Sequence, residues 1–138
     1  MRISQQLLDE IIAHARADAP NECCGMIASR DGVAVTVHRA VNQAERPRVT
    51  YEIRGQDLFG LFNVIEGAGL DIGAIYHSHP FTEPKPSPTD IKLAQYPDSL
   101  YVIVGLEHEE PEVRAWRIVD GVVSEAALEV EDGSPVDT

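Results

Sequence analysis

Two histidines, His77 and His79, stand two residues apart directly behind the apolar run Ile72–Tyr76. Side chains at i and i+2 share one face of a β-strand, so a strand ending here aims both imidazoles at one point. Seven residues separate His79 from Ser87, and Asp90 closes the string Ser87-Pro88-Thr89-Asp90. Proline suits the first position of a helix, which makes Ser87 the N-cap and sets Asp90 in the first turn. The end of the strand and the start of the helix then face each other across the proline-rich segment Phe81–Pro86. Two neutral imidazoles and one carboxylate leave a position open for water, the pattern of a catalytic rather than a structural zinc site. Zinc lowers the pKa of such a water from ~15.7 toward ~7. A further carboxylate is then needed to take the water's proton and deliver it to a leaving amine. The Ser87 hydroxyl could donate a hydrogen bond to the developing oxyanion.

Each part also has an ordinary structural explanation. An isolated His-x-His pair is commonly a surface or satisfied core pair, and Ser87-Pro88-Thr89-Asp90 taken alone is a capping signature. Their joint occurrence at this spacing is what points to a metal, and capping and chemistry are compatible at Ser87.

The elements that would carry these residues follow from periodicity. Ile3, Leu7, Leu8, Ile11, Ile12 and Ala15 recur near the helical period behind Ser4, a suitable N-cap, and Pro20-Asn21 ends that helix. Residues 22–30 and 33–41 read as two strands joined at Asp31-Gly32, with Val33, Val35 and Val37 alternating as in a half-buried strand. Val49–Ile53 reads as a short strand after the polar loop holding Pro47. Leu58, Leu61, Phe62 and Ile65 predict a second helix closed by Gly67 and Gly69. Ile72–Tyr76 is a buried strand, Pro88 opens a short helix, and strands follow at about 99–106, 112–119 and 122–130. Strands alternating with helices, then a run of strands, predict an α/β fold with helices packed on a mixed sheet. Residues 1–130 are expected to form a single domain, and 131–138 a polar, frayed tail.

Composition narrows the function classes. The chain has 138 residues, 43% hydrophobic and 25% charged, with a formal net charge of −12. Such a charge repels phosphate backbones and argues against a nucleic-acid enzyme. No apolar run is long enough for a membrane span, and the N-terminal residues lack the apolar core of a signal peptide, so a cytoplasmic location without membrane contact is expected. The only cysteines, Cys23 and Cys24, are adjacent; a strand would point them to opposite faces, so they are expected to be reduced and buried. His14, His38 and His108 have no partners at ligand spacing and are expected to be structural or surface residues.

His77-Ser78-His79-Pro80, Ser87 and Asp90 together match HxHx7SxxD, and the chain here resembles the JAMM (MPN+) metalloproteases. The upstream glutamate of that family matches Glu22 in Asn21-Glu22-Cys23-Cys24-Gly25. The resemblance runs over roughly residues 3 to 130, through Thr89–Ala94, Tyr101–Val104 and Trp116–Gly121. It implies a curved mixed sheet flanked by helices, related to the cytidine-deaminase-like architecture. It further implies one Zn2+ per chain held by His77, His79 and Asp90, Glu22 as general base, and Ser87 supporting the tetrahedral intermediate. The implied reaction is hydrolysis of a peptide or isopeptide bond. The likeness is to the small bacterial branch that processes ubiquitin-like sulfur-carrier proteins, releasing an amino acid, notably cysteine, from the carrier's C-terminal glycine. Connections around residues 66–71 and 95–99 are short, unlike the insertions of ubiquitin-chain-specific relatives, which favours a flexible C-terminal tail as substrate.

An enzyme that removes one terminal residue must recognise its free carboxylate, and Arg46, Arg48 and Lys85 lie in loops where they could do so. Two rival readings remain. Cys24 lies two residues after Glu22 and could act as a thiol nucleophile with His77 as base, but that leaves His79 and Asp90 without a task. A scaffold of the same fold would need none of the five residues together.

Overall fold

The periodic segment behind Ser4 forms helix α1 (Gln5–Asp18), and the Ser4 hydroxyl accepts a hydrogen bond from Leu7 N at 3.2 Å. The structure, a computed structural model, describes residues 1–131. The remaining elements are β1 (Arg2–Ser4), β2 (Cys24–Arg30), β3 (Val33–Ala40), α2 (Gly55–Gly67), β4 (Asp71–His79), α3 (Pro88–Leu93), β5 (Leu100–Gly105), β6 (Glu112–Val119), β7 (Val122–Ala126) and β8 (Glu129–Glu131).

The eight strands form one mixed sheet in the order β7-β6-β5-β4-β2-β3-β1-β8. β4 lies at its centre, antiparallel to β2 and parallel to β5, and α3 sits in the crossover between the two parallel strands. β2, β4 and β5 are buried on both faces, which is why they read as near-continuous apolar runs. One face packs Ile27, Tyr76, Val102 and Val104 against Ile11 and Ala15 of α1. The other packs Met26 and Ala28 beneath Leu58, Phe62 and Ile65 of α2, and Ile75, Tyr101 and Ile103 beneath Ile91 and Tyr96. Along β4, alternation sends Ala74 and Tyr76 to the α1 face and Ile75, His77 and His79 to the face of α2 and α3.

Four details differ from the sequence-based expectation. The segment 122–130 is not one strand: β7 and β8 lie on opposite edges of the sheet, joined only by Ala127 and Leu128. So short a link requires the sheet to curl until its edges approach, and the N-terminal ammonium of Met1 donates to Ala127 O at 2.9 Å. Arg2–Ser4, where Ile3 fits the helical period and Ser4 the N-cap, is a strand parallel to both β3 and β8. The alternation in β3 breaks at a bulge, where Ala28 pairs with Thr36 but Ser29 pairs with Ala34. Val35 is the extra residue, so Ala34 turns inward and Val35 stays 41% exposed. Finally, Val49–Ile53 is not a strand: Val49 closes the turn at 47–49, and the rest is a strap without regular secondary structure. Thr50 O and Glu52 N bond the Asn42 side-chain amide, Glu52 O accepts from Gln43 N, and Val49 N and Thr50 N turn back to Arg46 O, so no strand ladder forms.

The Asp31-Gly32 hairpin is as expected, both residues having positive φ (53° and 80°) as a type I′ turn demands. β8 extends through Glu131, one residue into the segment read as a polar tail; 132–138 lie outside the described residues.

Candidate metal centre

β4 and α3 bring three side chains together. His77 Nε2 lies 3.1 Å and His79 Nε2 3.0 Å from Asp90 Oδ2, and the two imidazole nitrogens are 3.2 Å apart. All three residues are buried. Bonds of ~2.0–2.2 Å at tetrahedral angles would separate such donors by about 3.3–3.6 Å, so a slight spreading of this triangle accommodates one ion. The donor set also fits by charge, since a buried carboxylate between two imidazoles gives a cation a negative partner and two neutral donors.

Local sequence explains the placement of each donor. Ser87 caps α3: its Oγ accepts from Asp90 N at 3.0 Å, while Asp90 Oδ2 accepts from Ser87 N at 3.0 Å. That reciprocal pair leaves the Asp90 carboxylate one orientation, facing the histidines. His79 Nδ1 donates to Glu83 O at 2.7 Å, which fixes the ring with Nε2 toward the centre, where loss of its proton would present a lone pair to a metal. Glu83 is held in turn by its neighbour Pro84, whose carbonyl accepts from Trp116 Nε1 at 2.9 Å. Pro84 rests on Gly105, where a Cβ would lie 2.7 Å from the proline ring. His77 is oriented differently. Its Nδ1 is buried with no hydrogen-bond partner among the described residues, and the Tyr51 ring stacks on the imidazole at a centroid distance of 4.4 Å.

Electrostatics follow the burial. Desolvation works against the Asp90 anion, yet hydrogen bonds from His77 and His79 hold its carboxyl well below the usual range. Burial lowers the His77 pKa despite Asp90. For His79, burial acts in the same direction, but bonding to Asp90 and to Glu83 O prevails and raises it.

Glu22 lies just ahead of β2 and is 4% exposed. Burial pushes its carboxyl up to about 8; His79 opposes that shift and Asp90 adds to it. Its Oε1 has no hydrogen-bond partner among the described residues. Glu22 is thus a buried carboxylic acid close enough to sense the His79–Asp90 pair, but it is not one of the triangle's donors. Its pKa falls when a cation is held nearby, as a proton acceptor at neutral pH requires.

Other sequence-nominated residues are placed as follows. Cys24 is the cross-strand partner of His77, but burial pushes its thiol up to about 12, which leaves almost no thiolate at neutral pH. Cys23 and Cys24 are both free and buried. Arg46 and Arg48 are exposed in the turn around Pro47, whose carbonyl accepts from Glu22 N at 2.7 Å. Neither arginine pairs with a carboxylate among the described residues, whereas Lys85 lies 4.0 Å from Glu83. His14 is buried, bonded to Tyr76 at 2.7 Å and 3.3 Å from Asp18; His38 bonds Thr36; His108 is exposed beside Glu107. None of the three joins the centre.

Sequence reasoning missed Tyr51, Trp116 and Asn42. The contacts that tie these two aromatics to the centre, Trp116 Nε1 to Pro84 O and the Tyr51 ring on His77, are long-range, so no local pattern marks them. Asn42 carried a weak signal, as an Asn closing a strand ahead of a proline-containing turn.

A profile described as prokaryotic homologs of the JAB domain matches residues 4–119. A CysO-cysteine peptidase of Mycobacterium tuberculosis is 38% identical over 130 residues, covering 93% of this chain and 89% of the relative. A desampylase of Haloferax volcanii is 41% identical over 101 residues, 69% of this chain and 73% of its own. The solution structure of protein DSY2949 from Desulfitobacterium hafniense superposes with a TM-score of 0.85 at 26% identity, over 95% of this chain and 92% of that one. The chain therefore belongs to the prokaryotic JAB-domain branch of the JAMM/MPN metallopeptidase family.

Proposed function

We propose that this chain is a cytoplasmic zinc peptidase or isopeptidase that hydrolyses the bond after the C-terminal glycine of a ubiquitin-like sulfur-carrier protein. Cysteine is the leaving group we favour. The observation that carries the chemistry is the buried His77–His79–Asp90 triangle beside the partnerless carboxyl of Glu22. The substrate class rests on the relatives, one named for CysO-cysteine and the other a desampylase. Residues 1–130 are taken as the catalytic domain.

His77, His79 and Asp90 would hold a zinc ion, which when bound would supply Lewis-acid activation of a water at neutral pH. Glu22 would accept a proton from water on its carboxylate and return it to the departing amine. Ser87 keeps its Oγ lone pair on Asp90 N and is free to donate its hydroxyl proton toward the developing oxyanion. The strap gives the tail a bed. Thr50, Glu52 and Arg54 bond on one side to Asn42 and Gln43, while the backbone groups of Tyr51 and Ile53 have no partners among the described residues. An extended peptide could pair with that free edge. A cleft of about 310 Å³ lies alongside it, lined by Met26, Tyr51, Leu58, Tyr96 and Tyr101 and reaching Asp90. Arg46 and Arg48, with Lys85 as a lesser candidate, anchor the terminal carboxylate.

The test is intact-mass spectrometry of a ubiquitin-like carrier ending Gly-Gly-Cys, incubated with the zinc-loaded chain. Loss of the terminal cysteine is expected, abolished by a chelator and restored by zinc. An unchanged carrier mass would overturn the substrate assignment. Arg46→Ala or Arg48→Ala should raise KM for that carrier and leave it unchanged for one with an amidated terminus; parallel changes would return the arginines to the surface.

A further inference from the structure

Glu22 is outside the ladder that β2 begins at Cys24, so neither of its main-chain polar groups is held by a neighbouring strand. Its N–H donates to Pro47 O at 2.7 Å, and its carbonyl accepts from Asn42 Nδ2 at 3.0 Å. Its carboxylate makes no hydrogen bond among the described residues, and Oε1 is a buried orphan. The direction of the Glu22 side chain therefore depends on how its backbone is fixed, and both fixing contacts lead to one loop.

Asn42 organises that loop. Besides Glu22 O, its Nδ2 donates to Thr50 O at 2.9 Å and approaches Pro47 O at 3.4 Å. Its Oδ1 accepts from Ala44 N at 3.0 Å and from Glu52 N at 3.2 Å. One amide thus ties together the backbone of Glu22, the turn that accepts the Glu22 N–H, and the strap on either side of Tyr51. Tyr51 in turn stacks on His77. A planar group with two donor hydrogens and one acceptor oxygen is the side chain that can do this; an aspartate would turn an anion toward three carbonyls.

We infer that Asn42 is the positioning residue for the general base, holding Glu22 at its working distance from the metal centre without touching substrate or metal. The inference rests on the reading of Glu22 as base. It deepens that reading by assigning the base's alignment to a residue twenty positions away in the chain. Groups that act as one unit lose catalysis non-additively, which makes the assignment measurable.

The experiment compares Asn42→Asp and Asn42→Ala with the unaltered chain, alone and combined with Glu22→Gln, all zinc-loaded. Asn42→Asp alone should lower kcat ~10–100-fold, with zinc content unchanged. Added to Glu22→Gln, it should lower kcat no further, because there is no base left to misplace. Full additivity, or loss of zinc from the Asn42 variants, would overturn the inference. A second measurement does not depend on activity. Amide hydrogen exchange should quicken at Glu22, Ala44 and Glu52 in Asn42→Ala, while Tyr76 and Val102 in the central strands stay protected. Unchanged protection at Glu22 would overturn the inference even if turnover fell. Should Glu22→Gln itself keep full turnover, the base assignment fails. The exchange result would still report whether Asn42 fixes the Glu22 backbone.

Discussion

The centre is built from two halves of different kinds. His77, His79, Ser87 and Asp90 lie within one stretch, residues 77–90, and are set by a strand end, a proline-rich loop and a capping box. Glu22 comes from one stretch without regular secondary structure and Asn42 and Tyr51 from another, the loop between β3 and α2, and the two stretches meet only through tertiary contacts. The first half is rigid for local reasons: alternation along β4, the cap of α3, and the Glu83 carbonyl on His79. The second half is held by contacts between segments: the Asn42 amide, the Glu22 N–H on Pro47 O, the Gln43 bonds and the Tyr51 ring on His77. The comparison suggests a division of labour, in which the locally encoded half holds the ion and the assembled half handles the proton and the substrate tail.

The sharpest break in that division is Asp90→Ala. Two histidines alone make a weak site, so zinc measured by elemental analysis should fall from one per chain to near zero, with turnover at background. Full occupancy in this variant would remove Asp90 from the ligand set. Glu22→Gln probes the other half. Zinc should stay bound while turnover falls ~10²–10⁴-fold, since the amide cannot accept a proton. Equal loss of zinc would merge the two halves into one.

Ser87→Ala sits on the boundary, since Ser87 is a cap and is proposed as an oxyanion donor. Turnover should fall ~10²–10³-fold. Stability by denaturant titration should drop by about 1 kcal/mol through the lost cap. A stability loss with unchanged turnover would leave Ser87 in the ion-holding half alone.

The smallest expected effect is one of pH on the metal-free chain. The Glu22 carboxyl is pushed from 4.5 up to about 8 in the folded protein. Below the unfolded value both states hold the proton and pH has no influence through this group. From there up to about 8 the unfolded chain has released it and the folded chain has not, so stability declines as pH rises, and levels off above. Metal-free Glu22→Gln lacks this contribution. Its stability difference from the unaltered chain should therefore widen in its favour across that interval, read by urea titrations at several pH values. A constant difference would show that Glu22 titrates normally.

How much was legible follows the same division. The spacing of His77, His79, Ser87 and Asp90 announced the triangle because strand alternation and helix capping are local rules that act over a few residues. Gln5–Asp18, Gly55–Gly67 and the Asp31-Gly32 hairpin were readable for the same reason. Arg2–Ser4 and Glu129–Glu131 were not, because three residues carry no period; they are strands only because the curled sheet brings its edges together. Val49–Ile53 has strand composition but no strand partner; the Asn42 amide and the Gln43 N–H bond its Thr50 and Glu52 instead. Val35 alternates in sequence and is turned out by a bulge that depends on its pairing with β2.

By itself, then, the amino-acid sequence determined which residues could hold an ion and on which elements they would ride. Periodicity, capping and turn chemistry act through the nearest covalent neighbours. Only the tertiary structure decided that Glu22 is buried without a partner, that Tyr51 covers His77, and that Asn42 ties these two residues together. Those outcomes depend on desolvation and on hydrogen bonds and ring stacking between residues eight or more positions apart, which exist only once the sheet has curled and the strap has closed over it.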